Sequence, residues 1–167
     1  MSTTRTLDCG TGRRIINPEP GHGLGGYGPD YPCDDIHDDL AVTALYLHDG
    51  TTDALLLHFD LIGMRRPLVS EIRAAASAAA GVPPERVFTT CTQTHGGPEV
   101  RVRPATRKGA RRSAARPDYN RRLVGLAAEA ASWCLNRSIY RRSRRASGVM
   151  ENDRPLVVAH GGARPCV

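Results

Sequence analysis

Aromatic residues make up only 5% of the 167-residue sequence, which has one tryptophan and two phenylalanines. Hydrophobic residues still reach 40%, so alanine must supply much of the apolar packing. No apolar run approaches the roughly 20 residues that span a bilayer, and Met1–Asp8 lacks the apolar core of a signal peptide. We therefore expect a cytoplasmic protein without a transmembrane segment, folded as one domain over residues 1–167.

Paired cysteine motifs are also missing from the sequence. The chain has an odd number of cysteines, at wide spacing and without a Cys-x-x-Cys pair: Cys9, Cys33, Cys91, Cys134 and Cys166. This pattern argues against a disulfide scaffold and against a zinc ribbon. Reduced thiols are the corresponding expectation.

Lysine is almost absent, since Lys108 is the single lysine among 23 basic residues, which face 17 acidic ones. The formal net charge is +6, and the excess arginine lies between Arg101 and Arg145. Arginine-biased codon usage explains this preference as well as selection for phosphate contacts does. The basic segment could contact a polyanion, but it lacks interleaved aromatic residues for base stacking and does not favour a nucleic-acid site.

Apolar runs and turn signals predict an α/β fold with a mixed sheet. Residues 12–17 can form a short strand, and Leu40–His48 and Ala54–Phe59 are two apolar runs separated by Asp-Gly at 49–50. Asp-Gly between apolar runs is a strong signal for an antiparallel hairpin. The second run is uniformly apolar, which predicts a central strand without a solvent-facing side, followed by Asp60.

Two helices are predicted after the hairpin. Pro67–Ala80 has apolar residues at helical spacing, proline near its first turn and Gly81 at its end. We expect this helix to lie on the sheet and to cross over to the next strand. A second helix is predicted from Asp118 to about Asn136, after the arginine-rich residues 99–116, which are expected to form a flexible loop.

The segment Arg86–Pro98 carries the strongest signal for chemistry. Its first half is β-branched and aromatic, which predicts a buried strand, and it stops at a glycine pair and a proline. Alternate strand residues share a face, so Gln93 and His95 are expected to project to one side at the carboxyl end of the sheet. This arrangement suits a metal or proton-transfer site, whereas the alternative is a hydrogen-bonded loop histidine.

Three further residues are candidates for this site. The glycines of residues 21–29 lack the lysine-serine pair of a phosphate-binding loop, and are expected to let the backbone pass close to a ligand or another segment, presenting Tyr27. Asp60 is expected on the same rim as His95. The tail, residues 138–167, is of uncertain structure, and its apolar run predicts one more strand that ends at His160.

The succession of these segments resembles the amino-terminal region of neutral/alkaline non-lysosomal ceramidases. The matching pieces lie in one order between residues 12 and 136: Gly-Gly-Tyr-Gly-Pro (25–29), Ile-His-Asp-Asp-Leu (36–40), Phe-Asp-Leu (59–61), Gly-Val-Pro-Pro-Glu-Arg-Val (81–87) and Thr-Gln-Thr-His-Gly-Gly-Pro (92–98). The resemblance implies a zinc-dependent hydrolase of sphingolipid metabolism that cleaves the amide of N-acyl lipids such as ceramide.

The resemblance also implies residue roles, with departures. The family's loop reads His-Thr-His-Ser-Gly-Pro, in which the first histidine binds zinc and the second lies beside the metal. Gln93 and His95 stand at these positions, and an amide oxygen binds zinc far less well than imidazole. The second histidine ligand of the family corresponds to His160 or, in another alignment, to Arg164.

Two functions follow from these residues. In the first, the chain is a truncated, zinc-dependent amide hydrolase domain with a degenerate metal site: His95 is catalytic, Gln93 and His160 are metal ligands, and Tyr27 and Asp60 contact the substrate. In the second, it is a non-catalytic ceramidase-like remnant or module that contacts a partner or polyanion through its arginines. A homo-oligomer and a complementing chain both stay open.

Overall fold

The computed structural model describes residues 7–101, 115–136 and 138–142. The strands are β1 (Leu7–Ile15), β2 (Gly23–Leu24), β3 (Gly28–Pro32), β4 (Ala41–His48), β5 (Asp53–Phe59), β6 (Val87–Cys91) and β7 (Ser138–Arg142), and the α-helices are α1 (Arg66–Ala80) and α2 (Pro117–Asn136). Five strands form a sheet in the order β6-β5-β4-β1-β7, and β2 and β3 form a separate pair. Only β5 and β6 are parallel among the described pairs, so the prediction of a mixed sheet is confirmed.

The hairpin of β4 and β5 turns at the predicted Asp-Gly. One carboxylate oxygen of Asp49 accepts hydrogen bonds from the backbone N–H groups of Thr51 and Thr52, at 3.0 and 2.8 Å. Gly50 has a φ of 93°, a conformation that L side chains rarely adopt. Beyond this turn, β5 lies between β4 and β6, as its apolar sequence predicts.

Helix α1 makes the predicted crossover between the parallel strands β5 and β6. It begins one residue before the predicted Pro67 and ends at Gly81, which takes the left-handed conformation with a φ of 65°. Its buried residues recur at helical spacing: Leu68, Ile72, Ala76 and Ala80. Along this face α1 packs against α2 and β6.

Helix α2 lies directly against the backbone of β1. A Cβ atom at Gly12 would come within 2.2 Å of the backbone oxygen of Ala130, so only glycine fits at this point of the strand. The neighbouring Ala127 and Ala131 are fully buried. Small residues on both elements therefore permit the close approach, in agreement with the expected reliance on alanine for packing.

The two helices leave part of the opposite sheet face open within the described residues. Leu55, Leu57 and Phe59 of β5 are fully buried, whereas His58 is exposed and its Nδ1 lies 2.7 Å from the hydroxyl of Thr90. The prediction that β5 has no solvent-facing side is therefore wrong. Alternate β5 residues point to opposite faces, and only one face is packed against the helices.

The described helices and cysteines show whether the chain has a membrane-spanning helix there and whether its thiols are reduced. Within the described residues, neither helix combines the length and the apolar character needed to cross a membrane. Cys91 and Cys134 are free thiols, whereas Cys33 is disulfide-bonded. The expectation of reduced thiols is therefore wrong for Cys33.

Candidate functional site

The loop after β6 runs beside the loop after β5. Strand β6 ends at Cys91, and the backbone N–H of Gln93 then donates to the carbonyl of Leu61 at 3.0 Å. Gln93 has a φ of 64°, the one positive value among the described non-glycine residues. Side-chain alternation along a strand therefore does not extend to Gln93 and His95. That the two face one cleft stays a prediction.

His95 is exposed, and the glycine-rich segment packs closely against its imidazole ring. Its ring meets the ring of Tyr27 edge to face, with 5.6 Å between the centroids and 74° between the planes. Gly26 has a φ of 90°, and a Cβ atom there would lie 2.6 Å from Nδ1 of His95. The prediction that these glycines let the backbone pass close to another segment is thus confirmed.

Backbone hydrogen bonds fix the glycine-rich segment against the loop that carries His95. The N–H of Gly25 donates to the carbonyl of Gly97, and the N–H of Glu99 donates to the carbonyl of Gly23, both at 2.8 Å. Leu24 and Pro98 form an antiparallel bridge between these contacts. Tyr27 and His95 therefore lie on two loops that backbone hydrogen bonds connect on both sides of Leu24.

Glu99 adds a buried charge beneath this junction. It is 6% exposed, and its carboxylate accepts a hydrogen bond from the Nε of Arg101 at 2.7 Å. Burial works to raise the pKa of Glu99, but the hydrogen bonds from Arg101 and the backbone N–H of Gly26 hold this pKa below its usual value. A carboxylate that is ionised and bonded to Gly26 helps to fix the backbone beside His95.

Asp60 lies against the same loop through its backbone. A Cβ atom at Gly97 would come within 3.0 Å of the backbone oxygen of Asp60. The carboxylate of Asp60 accepts from the N–H of Ala41 at 2.9 Å, and its own N–H donates to the carbonyl of Ala41 at 3.0 Å. These bonds give Asp60 a structural role at the start of β4. Its contact with a substrate stays a prediction.

His22 is a buried residue of the site region that the sequence did not single out. It is 1% exposed, its Nε2 lies 3.3 Å from the carbonyl oxygen of Glu99, and its ring meets that of Tyr119 edge to face at 4.9 Å. Burial lowers the pKa of His22 below its ordinary 6.5. The signal in the sequence was a histidine between two glycines, which gave no indication of burial.

The residues of the site do not make a complete zinc centre. Within residues 7–101, 115–136 and 138–142, no three His, Cys, Asp or Glu side chains are grouped so as to hold a metal ion. A catalytic zinc takes three protein ligands, and the loop offers one imidazole and one neutral amide. His160 lies outside the described residues. The donors in the described part of the chain therefore do not fit a catalytic zinc.

No protein-family model matches the sequence, and no curated protein matches it. Among solved structures, the fold matches neutral ceramidase from Pseudomonas aeruginosa with a TM-score of 0.58 and 18% identity, over 80% of this chain. A structure described as ceramidase complexed with C2 matches with a TM-score of 0.57 and 17% identity, also over 80% of this chain. The matched region is 21% of each ceramidase chain, so this chain spans about a fifth of their length.

The described residues form a mixed α/β domain, and these matches show that its fold is ceramidase-like. The resemblance found in the sequence is confirmed at the level of the fold. At 18% identity the likeness carries no activity, substrate or metal to this chain.

Proposed function

We propose that this chain is a divergent ceramidase-type amide hydrolase domain that binds the amide of an N-acyl lipid such as ceramide beside His95, and that it does not complete the metal site by itself. The observation that carries the proposal is the contact among Gly26, His95 and Tyr27. This contact holds an exposed imidazole at the carboxyl end of the sheet, where α/β folds place ligands.

The chemistry assigned to these residues is binding and proton transfer. An imidazole both donates and accepts protons near neutral pH, so His95 can hydrogen-bond an amide and move a proton to or from it. Tyr27 is 48% exposed, and its ring offers an apolar surface to an acyl chain. Asp60 is a further candidate for substrate contact, through the carboxylate oxygen that does not accept from the N–H of Ala41.

A second candidate function is a ceramidase-like module without catalysis. Gln93 favours it, because a neutral amide stands where the resemblance calls for a zinc-binding imidazole. The polyanion version of this alternative depends on an arginine-rich segment that lies mostly outside the described residues. That version predicts binding to nucleic acid or anionic vesicles that weakens steeply with salt.

The proposal is tested by binding of a short-chain ceramide to the full 167-residue chain. We expect saturable binding that shifts the ring resonances of His95, and that weakens about threefold to tenfold for Tyr27→Ala, because loss of the ring removes apolar contact area. Phe88→Ala is the matched control, since Phe88 is 56% exposed on the open sheet face. Equal weakening by both substitutions would contradict a site at Tyr27.

Metal content separates the two candidate functions. We expect the purified chain to hold less than one equivalent of zinc and to hydrolyse a fluorescent ceramide only marginally. Stoichiometric zinc that is lost in His95→Ala would show that the site is complete. Absence of both ceramide binding and hydrolysis would leave the non-catalytic module.

A further inference from the structure

We propose that the crevice between the first turns of α1 and α2 binds a small carboxylate that has an apolar body. The cavity has a volume of about 290 Å³, close to the lower end of small-molecule sites. Its walls include Arg65, Leu68, Glu71, Val100, Asn120 and Arg121. None of these residues belongs to the rim around His95, so the inference does not depend on the proposed function.

The charges around this crevice favour an anion. Arg65 and Arg121 are both exposed, and within the described residues neither guanidinium forms an ion pair. Glu71 is the single carboxylate among the described residues that line the crevice. Both helices begin beside the crevice, α1 at Arg66 and α2 at Pro117, so the amino-terminal ends of their dipoles add positive potential there. Two guanidinium groups can bind one carboxylate through paired N–H donors.

Asn120 contributes a fixed amide to the wall of the crevice. Its Nδ2 donates to the carbonyl of Val100 at 3.1 Å, which fixes the orientation of the amide. Its Oδ1 is then a buried acceptor without a partner in the described part of the chain. Because this oxygen has almost no solvent-accessible surface, a ligand in the crevice cannot reach it, and the amide serves as a fixed part of the wall.

The floor of the crevice selects against a bare inorganic anion. Leu68 and Val100 are 6% and 1% exposed, and both present apolar side chains to the cavity. A phosphate ion would meet the two arginines but would leave this apolar surface uncovered and bring a second charge toward Glu71. A carboxylate with a short branched hydrocarbon matches both the two arginines and the apolar floor, as in an N-acylated branched amino acid.

The test uses N-acetyl-L-leucine, titrated into the full chain by calorimetry or by amide chemical shifts. We expect saturable binding, weakened about tenfold by Arg65→Gln and by Arg121→Gln, because charge-assisted hydrogen bonds are lost. Arg66→Gln is the matched control, since Arg66 is an exposed neighbour that does not line the cavity. All three changes are at the surface, so the thermal midpoint should stay the same.

Three outcomes would overturn the inference. The first is absence of saturable binding of N-acetyl-L-leucine. The second is equal weakening by Arg66→Gln and Arg65→Gln. The third is equal or tighter binding of either N-acetyl-L-leucine amide, which lacks the carboxylate, or inorganic phosphate, which lacks the apolar body. If Arg121→Gln binds ceramide as tightly as the wild type, the proposed function stands whatever the result of the N-acetyl-L-leucine titrations.

Discussion

Replacing Gly26 with alanine tests how the glycine-rich segment holds His95. The new methyl group would lie 2.6 Å from Nδ1 and 2.8 Å from Cε1 of the imidazole, and real Cβ atoms essentially never come within 3.0 Å of another heavy atom. Because the colliding atoms belong to the end of an exposed side chain, the ring can rotate away at little cost. The contact between His95 and Tyr27 should therefore be lost while the fold persists.

The stability cost of this substitution comes mainly from the backbone. Gly26 has a φ of 90°, and alanine in such a left-handed conformation costs about 1–2 kcal/mol. Gly50→Ala provides the control, because its φ is 93° and its added Cβ would meet no atom within 4 Å. We expect the two substitutions to lower the free energy of unfolding by similar amounts.

The two variants should differ only at the site. Denaturant unfolding gives the matched stability loss, and the imidazole resonances of His95, assigned through His95→Gln, report its surroundings. We expect these resonances to shift in Gly26→Ala and to stay fixed in Gly50→Ala. Ceramide binding should fall in the first variant alone. Unshifted His95 resonances in Gly26→Ala would refute the close contact on which the proposed site depends.

Three further predictions concern packing, pH and metal. Gly12→Ala should lower the free energy of unfolding by about 3 kcal/mol in thermal or denaturant melts, because its Cβ would overlap a backbone oxygen of α2. Gly125→Ala is the control in α2, where an added Cβ would meet no atom within 4 Å. This substitution should raise the free energy of unfolding by about 0.5–1 kcal/mol. Burial lowers the pKa of His22, so the unfolded chain binds this proton more readily and stability should fall as the pH drops below 6.5. In melts between pH 5 and 8, stability should depend less steeply on pH in His22→Gln. An unchanged dependence would assign the effect to another group. Gln93→His should bind zinc more tightly than the wild type in a competition titration with a chelating dye, and unchanged affinity would mean that residue 93 does not face His95.

Local sequence patterns predicted the elements whose causes are local. Asp-Gly at 49–50 predicts the hairpin, and the carboxylate of Asp49 indeed bonds the turn. Gly81 predicts the end of α1, and it adopts the left-handed conformation there. Each of these features depends on residues within a few positions of one another, so spacing along the chain is sufficient information.

Features that depend on distant segments were not predictable in the same way. Strand β1 begins at Leu7 rather than at residue 12, because pairing with β4 extends through the glycines at 10 and 12, which have low strand propensity. The need for glycine at position 12 comes from a helix more than 100 residues later. Likewise, the positive φ of Gln93 accompanies a backbone hydrogen bond to Leu61, a distant contact that the strand pattern before Gln93 does not indicate.

The backbone conformation at Gln93 would also accept a histidine. Its φ of 64° and its N–H bond to Leu61 are properties of the main chain, and histidine is among the residues that tolerate such a φ. An imidazole could therefore occupy position 93 without rebuilding the loop. At position 93 it is therefore the side chain, and not the backbone, that differs from the imidazole implied by the resemblance. For this reason Gln93→His tests the proposed metal position more directly than a change to the loop backbone would.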